Sequence, residues 1–429
     1  MKINLTTLGC PKNIVDSEYL LAGLQGQDVE MVENPQVAET IILNTCGFIQ
    51  GAKEESIEAI LQAVELKKTG PCQWVFVTGC LSQRYRHILK KEIPEVDGFY
   101  GNRDLNAILN RILKNLNLKR ELLGERTLIT PAHYAYLKIS EGCENPCTFC
   151  SIPEIRGKFM SRPLESLVEE AQNLAELGVR ELLLIAQDST VYGQDLYGKK
   201  MLAPLLEQLM NIKKIKWIRL LYTYPAHFSD ELFEILSDRN SIIKYIDMPI
   251  QHVSNKILKS MARKVTRTEI EHIIARLRKH TPAVAIRTSL IVGFPGETEE
   301  AHQEMAEFLE AARFTRLGLF AFSREENTPA YEFPDQIPEQ VKQERWAELN
   351  DIQAQISYEM NRELLGTTQE VLIDEFDAAT GLFRGRTFRD CPEIDNSVVV
   401  EGVAEVGQFY PVKITQAHDY ELSGELIVR

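Results

Sequence analysis

The feature that most constrains the fold of this chain is the alternation of strand-like and helical runs along its first 334 residues. Successive strands joined through helices pair side by side and parallel, because each helix carries the chain back across a sheet face. Strand-like runs at 3–8, 40–44 and 74–78 alternate with helical patterns at 14–24, 53–67 and 83–90. Six further strand candidates follow at 136–140, 181–187, 217–222, 243–248, 284–292 and 317–322, with helical stretches such as 164–177 and 298–312 between them. Six units fall short of an eight-unit barrel, so an open, partial (β/α)6 barrel is expected, with its site at the carboxyl ends of the strands. A long helix is predicted over 338–365, where Leu349, Ile352, Ile356 and Met360 recur at helical spacing. Beyond it, short β-rich runs at 370–374, 382–387, 397–401 and 411–417 predict a small antiparallel β-barrel. The expected class is α/β, in three domains spanning 1–124, 125–362 and 363–429.

Length supports that division, since 429 residues exceed what one core organises. No apolar stretch approaches membrane-spanning length, and Met1-Lys2-Ile3-Asn4-Leu5 enters a strand pattern directly, so neither membrane association nor a signal peptide is expected. Eight cysteines in such a chain point to thiolate ligands in a reducing, cytoplasmic setting rather than to disulfides. The net charge of −14 argues against a general nucleic-acid binder. Residues 363–429 hold thirteen acids against five Lys or Arg, a net −8 in the tail alone.

The chemistry lies in the cysteines. Cys143-Glu144-Asn145-Pro146-Cys147-Thr148-Phe149-Cys150 spaces three of them C-x3-C-x2-C just past the first strand of the central region. Three thiolates on one loop hold three corners of a 4Fe-4S cluster and leave the fourth iron open, whereas structural zinc sites and electron carriers are closed by four ligands. A zinc knuckle completed from afar is the plainer alternative, but no Cys or His pair at zinc-like spacing lies nearby. Cys10, Cys46 and Cys80 each fall just past a strand of the first region, each beside a glycine. Parallel strands bring their carboxyl ends to one sheet edge, so these sulfurs are expected to converge on a second cluster with an open iron. The ordinary alternative is a small buried side chain at a strand end. Cys72 and Cys391 fit neither set.

The C-x3-C-x2-C loop resembles the signature of radical S-adenosylmethionine enzymes. That resemblance implies that the open iron chelates the amino and carboxylate groups of S-adenosylmethionine, whose one-electron cleavage releases a 5′-deoxyadenosyl radical. With a three-cysteine amino-terminal region and a small β domain, the whole chain resembles the methylthiotransferases, which implies a radical S-adenosylmethionine barrel at 125–362 and a TRAM-like β-barrel at 363–429. Thr7-Leu8-Gly9-Cys10-Pro11-Lys12-Asn13 is similar to the branch acting on an aspartate of small-subunit ribosomal protein S-twelve; the transfer-RNA branch usually has Gln-Met-Asn after the cysteine. Asn44-Thr45-Cys46-Gly47-Phe48-Ile49, Ala52-Lys53-Glu54-Glu55-Ser56 and Asp390-Cys391-Pro392-Glu393-Ile394-Asp395 resemble the same branch, although Cys391 stands where that branch more often has Ala. Charge agrees: a tail at −8 repels phosphates and attracts a basic ribosomal protein, with nucleic acid met only indirectly through the ribosome.

The resemblance also implies a set of cofactor contacts. Ser289-Leu290-Ile291-Val292-Gly293-Phe294-Pro295-Gly296-Glu297 is similar to a segment lining the adenosine moiety, which points to Gly293 and Glu297; a strand-to-helix turn would read the same way. Gln187 and Gln251 end barrel strands and face the expected cavity. Arg219 and Tyr222 resemble positions near the cofactor, and Phe149 is expected near the adenine or the cluster, or in the core. His252 reads as structural. Arg156-Gly157-Lys158 and Ser161-Arg162 read equally as carboxylate binders or as a surface turn.

The mechanism implied by the resemblance uses S-adenosylmethionine twice. One molecule methylates sulfur at the Cys10/Cys46/Cys80 cluster. Another, at the Cys143/Cys147/Cys150 cluster, yields the radical that takes hydrogen from Cβ of the aspartate, which then accepts the methylthio group. No general base is assigned, because an unactivated C–H bond offers no acid–base route. Methylthiolation of adenosine in transfer RNA is the nearest alternative, and a non-catalytic iron–sulfur carrier is the alternative of a different class. Sulfur source and electron donor are left unassigned.

Overall fold

A computed structural model describes residues 1–24, 29–103, 105–115, 126–237 and 242–427; the expected boundary between 124 and 125 lies outside them. The first sheet contains β1 (Lys2–Thr7), β2 (Glu30–Met31), β3 (Thr40–Thr45), β4 (Trp74–Gly79) and β5 (Gly98–Phe99), in the order β2-β1-β3-β4-β5. All its pairings are parallel, linked by α1 (Pro11–Leu24), α2 (Gln50–Thr69) and α3 (Cys80–Glu92). Central strands β3 and β4 are apolar on both faces: Ile41, Leu43, Val75 and Val77 pack to one side, Ile42 and Phe76 to the other. Burial on both faces is what a near-continuous apolar strand requires.

The second sheet is also wholly parallel. It comprises β6 (Tyr134–Lys138), then, after the short antiparallel pair β7 (Ser140–Glu141) and β8 (Met160–Ser161), β9 (Glu181–Ile185), β10 (Trp217–Leu220), β11 (Ile242–Asp247), β12 (Ala285–Val292) and β13 (Arg316–Ala321). The order β13-β12-β11-β10-β9-β6 follows the chain one strand at a time without closing, the expected partial barrel. Its outer face (Leu182, Leu184, Ile218, Leu220, Ile246, Leu290) packs under the helices. Its other face carries Tyr134, Tyr136, Leu183, Trp217 and Tyr245, and is covered by Val15 of α1 and by Leu372 and Cys391 of the tail. The long helix Glu339–Arg362 lies along β13, where Trp346 donates its indole N–H to the Leu319 carbonyl at 3.0 Å and Leu349 and Ile356 are buried.

The tail is a closed barrel of β14 (Thr368–Asp377), β15 (Leu382–Arg386), β16 (Ser397–Glu401), β17 (Phe409–Ala417) and β18 (Glu421–Leu426), ordered β14-β15-β16-β18-β17. β18 lies outside the expected runs, and the expected antiparallel barrel carries one exception: β16 and β18 run parallel. The reason is geometric, since a closed ring with an odd number of strands cannot alternate direction throughout. The tail docks by buried ion pairs. Arg386 meets Glu181 at 2.8 Å, Asp374 meets His133 at 2.8 Å, and Asp390 binds Arg316 at 2.5 Å. Among the described residues no helix is long and apolar enough to cross a membrane.

Candidate active site

The register of the first sheet does for three cysteines what alternation implied. Thr7 pairs with Asn44, and Thr45 with Gly79, so β1, β3 and β4 end together on one edge. Cys10 stands just before α1 and Cys80 begins α3, both at helix amino termini on that edge. The neighbouring glycines explain how the three loops crowd together. A Cβ on Gly9 would stand 2.7 Å from Cβ of Cys46, one on Gly47 2.6 Å from the Leu81 backbone, and one on Gly79 2.3 Å from the Thr45 carbonyl oxygen. Asn13 ties the loops: its amide donates to the Leu8 carbonyl at 2.7 Å and the Thr45 carbonyl at 3.2 Å.

The second trio sits on a loop whose base is pinned by β7 and β8. Gly142 adopts φ +74°, and a Cβ there would meet the Lys158 carbonyl oxygen at 2.1 Å. The Cys143 N–H donates to the Gly157 carbonyl at 3.1 Å, and the short helix Ile152–Arg156 then turns back beneath the first trio. Arg156 is buried there rather than on a surface turn. Its guanidinium meets Asp16 at 3.1 Å and Glu141 at 3.0 Å, and donates to Asn13 Oδ1 at 2.5 Å and to Cys80 Sγ at 3.6 Å. Lys138 completes the cluster with Asp16 and Glu141.

The central observation is that all six cysteines line one cavity of about 580 Å³, between the edge of the first sheet and the carboxyl ends of the second. Phe149, Gln187, Tyr222 and Gln251 line it too, as expected. Tyr222 (φ 58°) and Gln251 (φ 72°) both hold left-handed backbone, a strain that clusters where side chains must be aimed at a site. The structure does not bring three other expected contacts into the cavity wall. Arg219 is fully buried against Glu181 at 2.7 Å and donates to the Phe388 carbonyl at 3.1 Å, joining the tail to the barrel. Gly293 packs against Lys342, while Glu297 accepts from the Gly293 N–H at 2.9 Å and pairs with Arg345 at 2.8 Å and His252 at 3.3 Å. His252 is fully buried, in keeping with its structural reading.

Three cavity cations escaped or were undervalued by the sequence reading: Lys12, Arg156 and Arg263. Arg263 donates to the Pro249 carbonyl at 2.6 Å and to Cys147 Sγ at 3.6 Å, over the ring of Tyr224. Only Pro-Lys-Asn beside Cys10 could have flagged Lys12; nothing local marks an arginine 116 positions from its sulfur partner.

Every cysteine is a free thiol, so none is committed to a disulfide. Burial pushes the Cys143 thiol up to about 11 and those of Cys150 and Cys80 to about 12, and it raises Cys46 as well. Bare thiolates are therefore disfavoured here, and these sulfurs become ligands only with metal charge beside them. Donors are already aimed at them: Asn145 N–H at Cys143 (3.4 Å), Asn102 at Cys80 (3.4 Å), and the two arginines. Among the described residues no group of three or more His, Cys, Asp or Glu side chains is placed to hold a single metal ion. Three sulfur donors on one loop, Cys143, Cys147 and Cys150, suit an iron–sulfur cluster with one open iron.

Comparison with known proteins gives three matches along the chain: Radical SAM superfamily over residues 137–309, Uncharacterized protein family UPF0004 over 2–101, and TRAM domain over 365–427. The chain is 47% identical to a ribosomal protein uS12 methylthiotransferase RimO of Christiangramia forsetii, over 99% of this chain and 94% of that one. The protein of the same name from Chloroherpeton thalassium is 46% identical over 100% and 99%. Among solved structures, the radical S-adenosylmethionine methyltransferase TsrM from Kitasatospora setae superposes with a TM-score of 0.55 at 13% identity, covering 86% of this chain and 80% of that one, a likeness of fold.

Proposed function

The chain belongs to the family of ribosomal protein uS12 methylthiotransferases, radical S-adenosylmethionine enzymes with a TRAM domain, and we propose that it places a methylthio group on Cβ of an aspartate in uS12. The observation that carries this reading is the single cavity shared by both cysteine trios, since a group delivered at one trio must reach a carbon activated at the other. We assign Cys143, Cys147 and Cys150 to the cluster that takes S-adenosylmethionine, and Cys10, Cys46 and Cys80 to a second cluster. Bound there, the two clusters and S-adenosylmethionine supply one-electron cleavage of an unactivated C–H bond and the sulfur that replaces it.

The chain's own residues hold, orient and seal. Phe149, Gln187, Tyr222 and Gln251 bound the space beside the C-x3-C-x2-C loop, where we place S-adenosylmethionine. Ile291, Leu319 and Phe322 add an apolar wall that limits water at a reactive site. Residues 1–124 carry the sulfur-donating cluster, 125–362 the radical chemistry and 363–429 the approach of substrate. On the tail, Glu370, Glu375, Glu401, Glu405 and Glu425 are exposed, while Arg386, Asp390 and Asp395 are buried in ion pairs, so the surface keeps most of the acidic excess of the composition. That surface suits a basic ribosomal protein and repels phosphate. The setting is the cytoplasm, where uS12 is met free or within the small subunit.

Mass spectrometry of uS12 from cells with and without this gene tests the reading. The target aspartate gains a methylthio group only when the gene is present; equal modification in both strains would overturn the assignment. In the purified anaerobic enzyme, C10A/C46A/C80A is expected to keep reductive cleavage of S-adenosylmethionine and lose the product. C143A/C147A/C150A is expected to lose both.

A further inference from the structure

The cavity holds one cation more than it needs for its own architecture. Arg156 is committed to Asp16 and Glu141, and Arg263 to the Pro249 carbonyl; each also donates to a cysteine sulfur. Lys12 differs. It is 3% exposed, it lines the cavity, and its ammonium lies 2.9 Å from the centroid of the Tyr222 ring. Among the described residues it has no carboxylate or carbonyl partner. The neighbouring carboxylates are already taken, Asp247 by Arg287 at 3.0 Å and by the Tyr222 N–H at 3.0 Å, and Glu141 by Lys138 at 2.8 Å and by Arg156. A cation over a tyrosine face recovers only part of what burying an ammonium without an anion costs. Besides the Cys10 sulfur on the same loop, no anionic group among the described residues is left free to meet it.

We propose that Lys12, standing on the ring of Tyr222, receives the side-chain carboxylate of the substrate aspartate. The proposal rests on the uS12 reading above and deepens it by naming the residue that selects an acid. Its chemical sense lies in connectivity: the carboxylate carbon is bonded directly to Cβ, the carbon that gains sulfur. Gripping the carboxylate fixes Cβ in the space between the trios and decides which of its two hydrogens faces the C-x3-C-x2-C side, an orientation effect of the kind that dominates such rates. The left-handed backbone of Tyr222, held by its N–H to Asp247 and its carbonyl to the Ser189 N–H at 2.9 Å, keeps the ring beneath the ammonium. Lys12 breaks and forms no bond; it donates hydrogen bonds.

The test compares uS12 with a uS12 variant bearing Asn at the target position, each titrated into reconstituted holoenzyme and assayed for product. Wild type is expected to bind the aspartate form about tenfold more tightly, the worth of one charge-assisted hydrogen bond. Lys12→Met, similar in length and uncharged, is expected to bring that preference to within about twofold, and Lys12→Arg to restore part of it. Iron and sulfide contents matching wild type show that the variants are folded and loaded. A K12M enzyme that keeps the tenfold preference overturns the proposal, as does one that loses S-adenosylmethionine binding as severely as uS12 binding. If wild type modifies neither form of uS12, the substrate reading itself fails, a result distinct from either of these.

Discussion

At the scale of single residues, Gln187, Tyr222 and Gln251 were legible from the strand ends they follow, whereas Arg219 within β10 and Gly293 and Glu297 past β12 were misplaced. Gln187, Tyr222 and Gln251 lie at or just past the carboxyl ends of β9, β10 and β11, where a parallel sheet opens, and all three line the cavity. Arg219 lies inside β10, and its ion pair with Glu181 is shared with Arg386 from a tail strand far along the chain. No local pattern announces such a partner. Arg219→Met is therefore expected to lower the unfolding free energy by about 3 kcal/mol, because Glu181 and the Phe388 carbonyl lose a buried donor. Its affinity for S-adenosylmethionine should stay within about twofold of wild type. Denaturant unfolding and a binding titration measure the two, and a large loss of affinity at unchanged stability would return Arg219 to the cofactor site.

At the scale of elements, strand edges and glycines set the first trio. The runs at 40–44 and 74–78 were readable because β-branched and aromatic residues cluster there, and the cysteines followed at matching offsets. What the sequence did not show is that each glycine serves the adjacent strand's loop. Gly79 holds φ +98° with the Thr45 carbonyl 2.3 Å from where a Cβ would stand, so it must accept both a left-handed backbone and a close approach. Gly79→Ala is expected to destabilise the chain by more than about 1 kcal/mol and to spread β3 from β4. Iron analysis after reconstitution should then find about half the wild-type content, with the C-x3-C-x2-C cluster retained. Full iron content in G79A would show that the three sulfurs tolerate a wider edge. The parallel β16–β18 pair belongs to this scale too: short strands at even spacing suggest a barrel, but only the count of five makes one parallel pair unavoidable.

At the scale of the whole molecule, the tail is fastened to the barrel by buried charge. Asp374 sits between Arg386 and His133, at 2.7 and 2.8 Å. Burial alone would raise its pKa, but Arg386 and His133 outweigh burial and hold it below the usual aspartate value. A carboxyl depressed in the folded state stabilises fully above its unfolded pKa, near 3.8, and that contribution drains away as pH falls through the lower folded value. The thermal midpoint of the full chain is thus expected to drop below about pH 4, and Asp374→Asn to lower stability at pH 7 while flattening that acid limb. An unchanged limb in D374N would place the acid sensitivity elsewhere. By itself the sequence determined the two parallel sheets and the cysteines at the carboxyl ends of their strands, because periodicity, turn chemistry and ligand spacing act over a few residues. Only the tertiary structure decided that the two trios share one cavity, that α1 and the tail cover the same sheet face, and that Lys12, Arg156 and Arg263 rather than Arg219 line that cavity. Those outcomes depend on contacts between residues more than a hundred positions apart, whose burial and charge compensation no local pattern encodes.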